Sequence, residues 1–86
     1  MEPAEIFIQR MKKIEDIANS HKGVHRSFAV QAGRDVRVIV DPELMTDGEA
    51  VILARTIAKR FEEELKYPGQ IRVVVSREKR CVEFAR

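Results

Sequence analysis

Thr46–Ser76, TDGEAVILARTIAKRFEEELKYPGQIRVVVS, reads as a capped helix, a break and a strand that returns along it. Thr46-Asp47-Gly48-Glu49 is a capping box: the Thr46 hydroxyl can accept from the backbone three residues on, and Glu49 can reach back to the Thr46 N–H. Asp47 and Glu49 also put negative charge at the positive end of the helix dipole. At about 100° per residue, Ala50, Leu53, Ala54, Ile57, Ala58, Phe61 and Leu65 share one face, while Arg55, Lys59, Glu62, Glu63 and Lys66 share the other. Tyr67-Pro68-Gly69 stops the helix, because proline cannot continue it and glycine tolerates the turn. Ile71, Val73 and Val75 then alternate with Gln70, Arg72 and Val74, the period-2 pattern of a strand.

Upstream, Ala4 to Ser20 carries an apolar stripe of Ile6, Phe7, Met11, Ile14, Ile17 and Ala18, which predicts a first helix with Pro3 in its opening turn and Gly23 as its left-handed cap. Val24 to Ala32 predicts a strand with Val24, Phe28 and Val30 on its core side. Gly33-Arg34-Asp35 is the turn, and Val36, Val38 and Val40 mark a second strand ended by Pro42. After the helix and strand described first, Arg77–Arg80 reads as a charged turn. Cys81 to Phe84 reads as a last short strand with Val82 and Phe84 on its apolar side. The order helix-strand-strand occurs twice, and a shift of 47 residues superimposes apolar positions of the two halves; shared periodicity accounts for that agreement.

The fold class is therefore α+β, with two helices on one face of a three- or four-stranded antiparallel or mixed sheet. The predicted core is Phe7, Met11, Ile14, Ala18, Phe28, Val30, Val36, Val38, Val40, Leu53, Ile57, Phe61, Leu65, Ile71, Val73, Val75, Val82 and Phe84. Eighty-six residues make one small domain, spanning 1–86, or a piece of a larger protein. Sixteen basic against fourteen acidic residues is too even a balance to imply nucleic-acid binding by itself. No apolar run approaches the roughly 18 residues of a membrane span, so a cytoplasmic segment without membrane contact is expected.

No catalytic constellation is found. His21, His25 and Cys81 lack metal-ligand spacing. Glu62, Glu63 and Glu64 splay around the helix rather than converge. The segment is expected to hold no metal, no cofactor and no enzymatic activity. Arg26, Arg34, Arg37, Arg72, Arg77, Lys79 and Arg80 lie in or beside strands and could line an RNA-facing patch. Phe28 and Phe84, placed with the core valines, leave those strands without aromatic interleaving, so charge protection of strand edges is the commoner role. Strand alternation turns Ala29, Ile39 and Val74 to the face away from the helices, and Ile52 lies on the polar side of its helix. These four apolar residues predict a contact surface.

IEDIANSHKGVHRSFAVQAGRDVRVIVDPE and EAVILARTIAKRFEEELKYPGQIRVVVSREKRCVEFAR together resemble the carboxyl-terminal domain of ribonuclease Y, a bacterial endoribonuclease that initiates messenger-RNA decay. IANS (17–20), QAGR (31–34), LAR…IAK (53–59) and YPGQI (67–71) are the most specific pieces. The resemblance implies a parent with an amino-terminal membrane anchor, a coiled coil, an RNA-binding KH domain and an HD phosphohydrolase domain that uses a divalent metal. The segment read here would follow that HD domain. No histidine here is followed by aspartate, so the HD metal site has no counterpart in this chain. The resemblance implies a non-catalytic interaction or assembly module, its partner the parent HD domain or a second subunit. The alternative is an accessory RNA-binding domain using the strand arginines.

Overall fold

The computed structural model describes residues 4–66 and 69–86, so Pro3 and the Tyr67-Pro68 stop lie outside the described residues. The elements run α1 (Ala4–Asn19), β1 (Val24–Val30), β2 (Asp35–Val40), α2 (Asp47–Glu64) and β3 (Arg72–Arg77), with a tight turn at Gln31–Gly33. The sheet order is β1-β2-β3; β1 and β2 are antiparallel, β2 and β3 parallel. The fold is α+β with a three-stranded mixed sheet.

The capping box forms as read: Glu49 N–H donates to the Thr46 hydroxyl (3.1 Å), and Thr46 N–H donates to the Glu49 carboxylate (2.9 Å). The Thr46 backbone bond holds the Glu49 carboxyl below its usual range. The resulting stability is fully present above the ordinary carboxylate range and is lost as pH falls through the depressed value. Thr46→Ala is expected to cost about 0.5–2 kcal/mol, measured as a lower urea midpoint. A neutral result would mean that α2 does not depend on this cap.

Both helices lie on one face, α1 chiefly on β1 and α2 on β3. Between them and the sheet sit Ile14, Ile17 and Ala18 of α1, Val36, Val38 and Val40 of β2, and Leu53, Ile57 and Phe61 of α2. Burying each large side chain contributes about 1.5–3 kcal/mol. Val73, Val75, Ile71 and Leu65 pack at the margin. Phe7 and Met11 are half-buried rather than central.

Two expectations change. The hairpin register shifts between Val24 and Arg26, and this bulge turns Ser27 and Ala29 toward α1 and Phe28 and Val30 to the opposite face. The reason is space: α1 approaches β1 closely enough for Ser27 Oγ to donate to Asn19 Oδ1 (2.8 Å) and for Ala29 N–H to donate to the Glu15 carboxylate (2.9 Å). A phenylalanine would not fit there. Residues 81–84 form no strand, and Val82 and Phe84 are 58% and 78% exposed. Glu78 N–H instead extends the β3 pairing to Val40 O (3.0 Å), and Lys79 Nζ reaches Glu43 (2.9 Å), so the charged stretch makes no hairpin turn.

Candidate interaction face of the sheet

The face of the sheet opposite the helices follows from the strand register. Across the three strands it presents Arg26, Ile39 and Ser76, then Phe28, Arg37 and Val74, then Val30, Asp35 and Arg72. Phe28, Val30, Ile39 and Val74 are only half-buried. The Arg26 guanidinium stands 4.3 Å from the Phe28 ring centroid, a cation–π contact that screens part of the ring.

Asp35 is the anomaly of this face. It is 2% exposed, and neither carboxylate oxygen has a hydrogen-bond partner among the described residues. Arg37 Nη2 comes no closer than 3.9 Å, beyond donating distance. Buried polar atoms are nearly always paired, so an orphaned carboxylate needs a cause.

Of the four apolar residues expected to form a contact surface, Ile39 and Val74 share this face on adjacent strands, diagonal to one another, with Val74 opposite Arg37 and Ile39 opposite Ser76. Ala29 faces α1 and packs against the core. Ile52, 63% exposed, stands in the helix layer beside His21, Met45 and Thr56. The basic residues divide as well. Arg26, Arg37 and Arg72 belong to the open face; Arg34 sits by the turn, in a depression shared with Ala58 and Glu62. Arg77 points to the helix side and ties the loop before α2, donating to Met45 O (2.7 Å), Pro42 O (3.0 Å) and Asp47 (2.6 Å). Lys79 is held by Glu43. Arg80 lines a cavity of about 250 Å³ with His25, Arg26, Phe28 and Ile39.

The sequence reading missed Phe28, Val30 and Asp35 as members of this face. A signal was present in the small residues Ser27 and Ala29, the only side chains of β1 slim enough to lie beneath a helix. Among the described residues no group of three His, Cys, Asp or Glu is placed to hold a metal ion. Cys81 is exposed. No helix of the described residues is long and apolar enough to cross a membrane.

The chain is 52% identical over 85 residues to ribonuclease Y of Thermoanaerobacter pseudethanolicus, an alignment covering 99% of this chain and 17% of that protein. Ribonuclease Y of Geobacillus thermodenitrificans is 54% identical over the same length, covering 99% and 16%; that of Aquifex aeolicus is 55% identical, covering 99% and 15%. This chain is homologous to one segment of ribonuclease Y. It spans less than a fifth of the length of these ribonuclease Y relatives. No family model matches this chain, and no solved structure matches it.

Proposed function

We propose that the chain is a non-catalytic interaction module of a ribonuclease Y-like endoribonuclease, and that the open sheet face is its contact surface. One observation carries this reading: four half-exposed apolar side chains, Phe28, Val30, Ile39 and Val74, share one sheet face with Arg26, Arg37 and Arg72. A docked protein surface would cover Phe28, Ile39 and Val74. An apolar centre with arginines around it is the composition of a protein interface. The metal-dependent cleavage is then the work of the HD domain of that enzyme, elsewhere in its chain. That HD domain is the partner proposed.

A second reading is favoured by the position of Phe28. With Arg26, Arg37 and Arg72 on the same face, it offers an aromatic ring among phosphate-binding groups, the combination used for single-stranded RNA.

Ile39→Lys with Val74→Lys changes this face without touching the core. By sedimentation, the 86-residue chain is expected to associate with the HD domain of a ribonuclease Y, and the double variant is expected to lose most of that association while keeping its melting midpoint. Unchanged docking by a folded double variant would contradict the reading. Salt-dependent retention of an oligoribonucleotide, lost on replacing Arg37 and Arg72, would favour RNA instead.

A further inference from the structure

The two edges of the sheet are not alike. The β1 edge is guarded: its Ala29 N–H donates to the Glu15 carboxylate of α1 (2.9 Å), and the bulge at His25 breaks its regularity. The β3 edge is bare. Arg72 N–H donates to Arg34 O and Glu78 N–H to Val40 O, both toward β2. Alternation along a parallel ladder therefore turns the backbone groups of Val73, Val75 and Arg77 outward. Among the described residues, no hydrogen bond from another element reaches the backbone of these three.

Beside that bare edge runs a groove between β3 and α2, about 490 Å³, floored by Ala50, Ala54 and Val75 and rimmed by Val51, Asp47 and Arg77. No residue of β2 or α1 lines it, so it opens along the free side of β3. A separate depression lies against Ala58, Ile71 and Arg72. The alanines of α2 leave room here for large side chains to enter from an added strand.

The chain also carries a strand-like pattern that forms no strand. Cys81-Val82-Glu83-Phe84 alternates apolar and polar side chains as a strand does, yet every residue from 81 to 86 is exposed. This segment does not reach its own β3 edge. Residues 78–80 pass toward β2 and β1, where they line the cavity holding His25, Arg26 and Phe28, and the Lys79–Glu43 pair fixes that exit.

We propose that the free edge of β3 receives residues 81–86 of a second copy of this chain, and that the exchange is reciprocal. Val82 and Phe84 enter the α2–β3 groove, and the outward N–H and C=O groups of Val73, Val75 and Arg77 pair with the added strand. The product is a closed two-fold dimer of two four-stranded sheets. It explains why a sequence with four strand patterns forms three strands on its own. The dimer uses the sheet edge, not the open face, and stands independently of the docking reading above.

Sedimentation equilibrium over a concentration series tests it on the 86-residue chain. The wild type is expected to reach twice the monomer mass. Val82→Lys with Phe84→Lys, in a segment that contributes nothing to the core, is expected to weaken association by more than about tenfold, the loss of one buried anchor or more. Val51→Lys, which fills the groove from an exposed helix position, is expected to do the same. Ile39→Lys with Val74→Lys is expected to leave the dimer intact, which separates this test from that of the open face. Each variant is checked for an unchanged circular-dichroism melt. A wild type that stays monomeric overturns the proposal, whether its tail remains free or folds onto its own edge. A dimer that survives the tail or groove variants overturns it too.

Discussion

Phe61→Ala is expected to destabilise the fold by about 3–5 kcal/mol, the range for emptying a buried aromatic site. Phe61 is fully buried near the end of α2, in the same cluster as Ile14 of α1, Ile57 one turn earlier, and the valines of β2. It helps hold both helices on the sheet. A domain of this size has a total stability of only about 4–13 kcal/mol, so this one change removes a large part of it. Urea melts should show a much lower midpoint, or no folded baseline. Ile52→Ala is the control on the same helix: Ile52 is 63% exposed, and its loss should stay within about 0.5 kcal/mol. Similar small losses from both variants would mean that the core is not where the cluster of α1, β2 and α2 puts it.

Ala29→Phe is expected to cost about 1–3 kcal/mol through overpacking, while Phe28→Ser costs less. The two residues are neighbours, and the contrast depends only on which way β1 faces. Ala29 lies against α1, where its own N–H is bonded to Glu15; Phe28 lies on the open face under Arg26. A phenylalanine at 29 must push α1 away from the sheet. Thermal melts of the two single variants measure the difference. A harmless Ala29→Phe beside a damaging Phe28→Ser would restore the register in which Phe28 belongs to the core.

Where an element satisfies itself locally, its sequence was readable. α2 has a complete capping box and an apolar face of regular period, and it begins where those signals put it. The same holds for α1, for the left-handed conformation of Gly23 (φ 91°), and for the valines of β2. β1 was harder because its two faces carry opposed signals. Val24 packs against the core as its hydrophobicity suggests, but beyond the bulge Phe28 and Val30 do not, because the volume available beneath α1 selects Ser27 and Ala29. A one-residue bulge then exchanges the faces, and local alternation cannot report that. The turn adds to the difficulty, since Gln31, Ala32 and Gly33 all take positive φ where glycine alone is expected to.

The candidate face was legible only in part for the same reason. Ile39 and Val74 could be placed because β2 and β3 keep strict alternation. Phe28 and Val30 could not, because they depend on the bulge. Asp35 was read as a turn residue, although it opens β2 and is almost completely buried. Val82 and Phe84 fit a strand pattern perfectly well, but a pattern does not say whether an acceptor edge exists within reach of the same chain.

The contact-surface reading is tested most directly by backbone amide chemical shifts of the 86-residue chain during titration with the HD domain of a ribonuclease Y. Shifts concentrated at Arg26, Phe28, Asp35, Arg37, Ile39, Arg72 and Val74 are the predicted result. Shifts confined to the outer surfaces of α1 and α2, or none at saturating partner, would contradict it.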